Sequence, residues 1–252
     1  MDKNLTLRVA AVAGILTAGL IVSFYLPAGH TSSPEIVLPQ SGTAGIDIGV
    51  DREQYNRRIV DEVTVDKGSV QRVVATLRRP GEYTFTGQSV FYYGAEQSRT
   101  FSVRGAVRDG LTKVVQSLDN GLYKHTILTD ADAYIWSSDS FSYYKGALGA
   151  FTVDELALVP TYEQLLNLPP EEMTDGGFAE TEGGACVYAE HRLAEGNIRS
   201  CYYISVETGL LTACQRYEGE RLVYSMTMTP ALDTVGDDWF TLPSGVVVTR
   251  TG

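Results

Sequence analysis

Side chains that could act in catalysis are few and widely spaced in this sequence. Its three histidines are His30, His125 and His191, and none stands in a recognisable arrangement with a serine or cysteine nucleophile. The Gly-x-Ser-x-Gly motif of many hydrolases is also missing from the sequence. The two later histidines are predicted to be surface or contact residues. We therefore predict that the chain is not an enzyme.

Two pairs of acidic residues could suggest metal or acid–base chemistry. Asp130 and Asp132 resemble the start of a calcium loop, but the later ligands of such a loop are missing. Glu171 and Glu172 follow two prolines at a predicted helix start, where the helix dipole stabilises negative charge. We interpret the first pair as a turn and the second as capping charges, and we predict neither a metal nor another cofactor.

The cysteines do not form a metal-binding pattern. The sequence has three cysteines, Cys186, Cys201 and Cys214. Their spacing gives no Cys-x-x-Cys pair and no cysteine–histidine pair at zinc spacing. Three cysteines leave one unpaired, so at most one intramolecular bridge can form. Cys201 and Cys214 flank a turn at residues 207–209, and whether they face each other depends on the hairpin register.

The overall charge argues against a nucleic-acid partner. The 252 residues carry 20 Lys and Arg against 31 Asp and Glu, a formal charge of −11, with no basic run that could displace counterions from phosphates. Residues 27–252 carry 18 basic and 30 acidic residues, or −12. Anionic lipid headgroups would repel such a domain.

An apolar segment near the amino terminus predicts membrane attachment. Residues Val9 to Leu26 contain no charge, and Lys3 and Arg8 precede them. A helix of this length rises about 27 Å, close to the thickness of a hydrocarbon core. The sequence after it poorly matches a signal-peptidase site, so we favour an uncleaved anchor over a cleaved signal. The basic residues place the tail, residues 1–8, in the cytoplasm.

The remaining chain is predicted to lie outside the cytoplasm, attached to the cell membrane by this single helix. Residues 27–45 are rich in proline and small residues and form a predicted stalk that spans about 25 Å as a flexible coil. Residues 46–252 follow as one domain.

One helix is clearly indicated in this domain. Asp66 can cap it, and Val70, Val73, Val74 and Leu77 recur at helical spacing before Pro80 and Gly81 end it. Residues 46–65 give mixed signals for a short helix or extended chain. The break at residues 146–175 contains a predicted short helix at 161–168 and a helix start at 169–172.

About ten antiparallel strands are predicted in the rest of the domain, with turn signals such as Asp109–Gly110 between them. Residues 199–206 carry apolar groups in both registers, which indicates that helices, a second sheet or a ligand cover the second face. Residues 239–245 are predicted as a final edge segment. The strands are predicted at 82–93, 97–107, 111–118, 122–129, 133–137, 141–145, 185–193, 199–206, 211–217 and 222–228.

Several of these segments together resemble the LolA-like lipoprotein carrier superfamily over about residues 60–248. The shared pattern is an aromatic strand, a Thr-Gly-Leu turn and an outgoing strand. The segments that carry it are Cys201–Leu211 with Glu218–Gly219, Arg79–Pro80 leading into Tyr83–Phe85, Asp132–Trp136, and Phe240–Gly245.

This resemblance implies a mainly β (α+β) fold: a curved antiparallel half-barrel whose concave apolar face is covered by helices and receives acyl chains. Combined with the predicted anchor at residues 9–26, which departs from the soluble or lipoprotein carriers of this superfamily, it implies a membrane-anchored domain that binds a lipid or lipoprotein acyl group. RseB-like relatives instead act as sensors of envelope signalling that contact a membrane regulatory protein, which is the alternative function. The aromatic residues that could line the concavity are Tyr83, Phe85, Phe91, Phe101, Tyr134, Trp136 and Tyr203.

Overall fold

A computed structural model describes residues 51–94, 97–118, 120–147, 160–193 and 197–249. The predicted cytoplasmic tail, membrane segment and stalk, residues 1–45, lie outside these ranges. Among the described residues, no helix has both the length and the apolar character needed to cross a membrane.

The domain is built on one open antiparallel sheet of eleven strands, which confirms the mainly β fold class. Strands β1–β6 lie side by side in chain order, as do β7–β11; β1 pairs with β11 and joins these two halves, so that β6 and β7 form the opposite edges of the sheet. The strands are β1 Glu82–Tyr93, β2 Gln97–Arg108, β3 Leu111–Ser117, β4 Tyr123–Leu128, β5 Asp132–Ser137, β6 Tyr144–Ala147, β7 Met173–Thr181, β8 Gly184–Leu193, β9 Ile198–Ser205, β10 Leu211–Glu218 and β11 Arg221–Ala231.

The tight hairpin between β2 and β3 forms where the sequence predicts it. Asp109 and Gly110 both have positive φ, 52° and 78°. A two-residue turn needs this conformation at both positions to match the twist of the strands, and Asp and Gly tolerate it at low cost. The short loop fixes the register of the whole hairpin.

Within the described ranges, three α-helices accompany the sheet: α1 Arg52–Glu62, α2 Val70–Thr76 and α3 Tyr162–Leu166. Helix α2 begins four residues after Asp66, whose carboxylate accepts hydrogen bonds from the backbone of Gly68 and Ser69 in the preceding turn. Its valines lie on one buried face, as their spacing predicts.

The strand register defines two faces of the sheet, because residues directly opposite each other on antiparallel strands point to the same side. We call the side against which the three helices pack face 1. Its core joins the helices to strands β7–β11 through Val70, Val73, Val74, Leu77, Leu165, Val187, Ala189, Tyr202, Ile204, Cys214, Tyr224 and Met226. The opposite side is face 2.

The carboxy-terminal segment packs on face 2 of the other half of the sheet. The prediction that residues 239–245 form an edge strand is wrong: Asp237–Phe240 is a 3-10 turn, followed by a single bridge between Thr241 and Val247. Phe240 is fully buried there against Ala106, Leu111 and Ile127. The apolar residues of this segment cover β2–β5. Because they are selected for burial, the composition of the segment resembles that of a strand.

Strand β7 is the element that the sequence did not indicate. It contains Gly176 and Gly177 and shows no apolar alternation. Gly176 is required because a Cβ there would press on the backbone of Asp66 and the side chain of Val70, where α2 approaches the sheet. The close approach of the helix therefore removes the pattern by which such a strand is recognised.

A substitution at Gly105 tests the packing of face 1. A Cβ on this β2 residue would overlap the ring of Phe85 and the carbonyl oxygen of Lys113. We expect Gly105→Ala to lower the free energy of unfolding in urea by about 2–3 kcal/mol through overpacking. Gly177→Ala in β7 is the control, because its Cβ meets nothing within 4 Å. Equal midpoints for both variants would contradict the packing described here.

Candidate functional site

The sheet separates the seven predicted site residues into two groups. Tyr83, Phe85, Phe91 and Phe101 occupy face 1 of β1 and β2, as the cross-strand pairs of these strands show. Tyr134, Trp136 and Tyr203 lie on face 2. The structure therefore brings four of the aromatic residues to the face that carries the helices and places the other three on the opposite side.

The face 1 aromatics connect the helix-covered core to the rest of the sheet. The ring of Phe91 lies 5.0 Å from that of Tyr224 and 5.8 Å from that of Phe101, edge to face. Phe85 is buried and fills the space above Gly105. Beyond them the same face of β2–β5 carries an apolar surface of buried Val103, Val107 and Ala133 and half-buried Val114, Leu128 and Ile135, with Thr112, Gln116 and Thr126 between them.

A polar cluster borders this apolar surface near the end of α2. The Arg79 guanidinium donates to the carbonyl oxygens of Val74 at 2.6 Å and Leu77 at 2.8 Å, and it lies 3.7 Å from the centre of the Tyr162 ring. Burial lowers the pKa of Arg79 and raises that of Tyr83. Arg79 thus satisfies the open carbonyls of the helix end while its charge is covered by an aromatic ring.

Tyr203 belongs to a polar network on face 2 of β8 and β9. Its ring lies 5.4 Å from that of Tyr188, whose hydroxyl donates to Glu190. Burial acts to raise the pKa of Glu190, but hydrogen bonds from Thr174, Arg199 and Tyr188 hold that pKa below its ordinary value. The network keeps a charged carboxylate in place on the sheet surface.

An open groove of about 640 Å³ crosses face 2 at the centre of the sheet. It lies over β11, β1, β2, β3 and β4, and its side chains are mainly hydroxyls with one amide and one guanidinium. Its volume falls within the range of small-molecule sites, about 300–1,000 Å³. The lining side chains are Thr86, Gln88, Ser102, Arg104, Val115, Tyr123, Thr227 and Thr229.

Lys113 and His125 lie beside this groove and both contact Trp136. The Lys113 ammonium is 3.5 Å from the centre of the Trp136 ring, and the His125 ring stacks on it at 5.1 Å. Burial lowers the pKa of Lys113 from 10.5 to about 7. Burial, then the charges of Lys113 and Arg104, lower the pKa of His125 to about 4. Trp136 thus contacts both side chains, and we call the three residues the cationic cluster because of Lys113, since His125 with this pKa is neutral at pH 7.

The carboxylates on face 2 of β1–β6 are bonded elsewhere. Glu82 accepts from the backbone N–H of Val235, and Asp132 forms an ion pair with Lys145 at 2.9 Å. Among the described residues, no carboxylate lies within ion-pair distance of Arg104 or Lys113. At neutral pH the charge of the cluster therefore comes from the protonated form of Lys113, which has no carboxylate partner among the described residues.

The other side chains that could act in catalysis or metal binding make structural contacts instead. His191 is buried and its Nε2 lies 2.7 Å from the carboxylate of Glu172, the last residue of a 3-10 turn at Pro170–Glu172. Cys201 opposes Gln215 and points to face 2, whereas Cys214 opposes Tyr202 and points to face 1. All three cysteines are buried and free. No group of three His, Cys, Asp or Glu side chains within the described ranges could hold a metal ion.

Sequence reasoning missed Lys113 and the groove. The β3 sequence, Leu-Thr-Lys-Val-Val-Gln-Ser, places a lysine between Leu111 and Val115 in the register that is otherwise apolar. A lysine in such a register is a signal of a buried amine, because lysine is seldom fully buried without a partner. The groove itself depends on five strands meeting in register and has no local signature.

The pH dependence of stability tests the environment of Lys113. Its folded pKa lies below its unfolded value, so between pH 7 and 10.5 the unfolded chain binds more protons and the wild type gains stability as pH rises. We expect Lys113→Met to be more stable than the wild type at pH 7. That advantage should fall by about 1.4 kcal/mol per pH unit between pH 7 and 9.

Urea denaturation of both proteins across this pH range measures the difference. Lys67→Met removes an exposed ammonium and should give a gap from the wild type that changes little with pH. A gap for Lys113→Met that stays constant from pH 7 to 9 would show that Lys113 keeps its charge in the folded domain.

No protein-family model matches the chain, and neither does any curated protein. Solved structures that match include an uncharacterized conserved protein from Thermus thermophilus, with a TM-score of 0.44, 9% identity, and 79% of this chain and 100% of that chain covered. A LolA superfamily protein from Nitrosomonas europaea matches with a TM-score of 0.32 and 7% identity over 71% of this chain and 98% of that chain.

MucB, in a complex with the periplasmic part of MucA, matches with a TM-score of 0.38 and 14% identity, over 78% of this chain and 62% of the MucB chain. A LolA superfamily protein is thus among the structures similar to this chain, as the sequence resemblance predicts.

Proposed function

We propose that this chain is a non-enzymatic binding domain that holds the acyl chain of a lipid or lipoprotein on face 1 of the sheet. The observation that carries the proposal is the apolar surface of β1–β5, where Val114, Leu128 and Ile135 remain half-buried beside the core. In this proposal the sheet curves into a half-barrel around the acyl chain, and the segment at residues 9–26 anchors the domain outside the cytoplasm.

The composition of this surface suits a long hydrocarbon chain. Phe85, Val103 and Val114 lie at neighbouring positions without a charged side chain among them, whereas the Arg99 guanidinium lies 4.7 Å from the centre of the nearby Phe101 ring. Each buried methylene contributes about 0.8 kcal/mol. The sequence resemblance to the LolA-like superfamily supports the same class of ligand.

Binding of a fluorescent fatty acid to the full-length chain in detergent tests this function. Val114 and Val115 are adjacent on β3 and point to opposite faces, so they provide a matched pair. We expect Val114→Thr to weaken binding about fivefold to tenfold, since it places a hydroxyl against the acyl chain at constant shape. Val115→Thr should leave the affinity unchanged.

Two results would contradict acyl binding on face 1. One is the absence of saturable uptake of the fatty acid and of added lipids by the folded chain. The other is an equal effect of the two valine substitutions, which would mean that the probe binds outside face 1 or responds only to stability.

A second candidate function is interaction with a protein partner, such as a membrane regulatory protein, at the open edge of the sheet. Phe141, just before the edge strand β6, is 96% exposed, and Tyr144 within β6 is 66% exposed. An edge strand with exposed aromatic residues can pair with an extended segment of another chain. A photocrosslinker at Phe141 in native membranes should then capture one specific protein, whereas the same group at Phe178 on the β7 edge should not.

A further inference from the structure

The groove on face 2 has the features of a site for an anionic ligand. It combines a cavity of small-molecule size with Arg104 in its wall and the cationic cluster of Lys113, His125 and Trp136 at its end. Arg104 and Val115 are cross-strand partners, Val115 opposes His125, and His125 opposes Trp136. One row of side chains therefore leads from the groove into the cluster.

Lys113 lies beside this row, opposite Ala106 and Ile127, and is the residue of the cluster that most needs an explanation. Only 3% of the residue is exposed, yet its ammonium contacts an aromatic ring and no carboxylate among the described residues. A buried ammonium without a counterion costs free energy that a closely held anion would recover. A buried lysine without a carboxylate partner is unexpected in a chain with a formal charge of −11, because acidic side chains that could pair with it are abundant.

We propose that the groove binds a phosphate ester, with Arg104 in its wall holding the phosphate, the Lys113 ammonium attracting it from beside the groove, and the hydroxyls of the groove contacting the rest of the ligand. A guanidinium and an ammonium together match a phosphate group that carries up to two negative charges. Thr86, Ser102, Thr227 and Thr229 supply hydroxyls that can donate to phosphate oxygens or bond to a polar ester group.

This site is separate from the proposed acyl site. The groove side chains lie on face 2, whereas Val114, Leu128 and Ile135 lie on face 1, and the continuous backbone of the sheet runs between them. One lipid could not occupy both sites at once. The phosphate proposal therefore stands or falls independently of acyl binding.

Calorimetric titration of the full-length chain in detergent with glycerol 3-phosphate tests the proposal, with glycerol as the uncharged control. We expect saturable binding of glycerol 3-phosphate and none of glycerol. Arg104→Gln and Lys113→Met should each weaken binding at least tenfold. Arg58→Gln on α1 removes the same charge at a side chain that is 78% exposed and paired with Glu62, and it should have no effect.

Dihexanoylphosphatidic acid, a soluble phospholipid, distinguishes the two sources of a phosphate ester. Affinity equal to that of glycerol 3-phosphate indicates a free phosphate ester, whereas binding at least tenfold tighter, still lost in Arg104→Gln, indicates a lipid headgroup. The proposal is overturned if glycerol 3-phosphate shows no saturable binding up to about 10 mM. It is also overturned if the folded Arg104→Gln and Lys113→Met variants bind as the wild type does.

Discussion

The pairing of β1 with β11 is the constraint on which the rest of the structure depends. All other neighbouring strands follow one another in the chain, but this pair joins the halves across eight residue pairs, from Thr84 with Ala231 to Phe91 with Tyr224. Gly87 allows it, because a Cβ there would overlap the Thr227 carbonyl. The side-chain pair of Phe91 and Tyr224 then extends the helix-covered core into β1.

This junction also builds both candidate sites. The groove on face 2 takes Thr86 and Gln88 from β1 and Thr227 and Thr229 from β11, so it exists only where the two strands meet. On face 1 the same strands bring the core against the apolar surface of β2–β5. Because contacts between β1 and β11 are distant in sequence, they form at a high cost in chain entropy and depend on both halves being folded.

The sequence predicts local elements well where a local cause dominates. The valine spacing of α2, the Asp109–Gly110 turn and the bounds of β1 all follow from residues within a short window. The sequence does not predict an element whose structure depends on contacts with residues far away in the chain. β7 lost its alternation to the approach of α2, and residues 237–249 cover face 2 where an edge strand was predicted.

The candidate site shows the same division. Aromatic content identified residues of both faces, but only cross-strand register reveals that Phe85 and Trp136 point to opposite sides. A shift of one residue in any pairing would reverse this assignment. The position of Lys113 in an otherwise apolar register of β3 only weakly indicates its role. That role depends on Trp136, two strands away, and on carboxylates that pair with other residues.

The placement of the cysteines has a consequence for how opening of the domain can be observed. Cys201 and Cys214 project from opposite faces, so the sheet itself prevents a disulfide between them in the folded state. Burial raises the pKa of Cys214 to about 12 and also raises that of Cys201, which leaves both thiols unreactive while the domain is closed. Alkylation of Cys214 therefore reports the departure of the helices from the sheet, and alkylation of Cys201 reports exposure of the other side. The chain therefore carries kinetic reporters of both faces: Cys214 on face 1, and Cys201 with the third buried thiol, Cys186, on face 2.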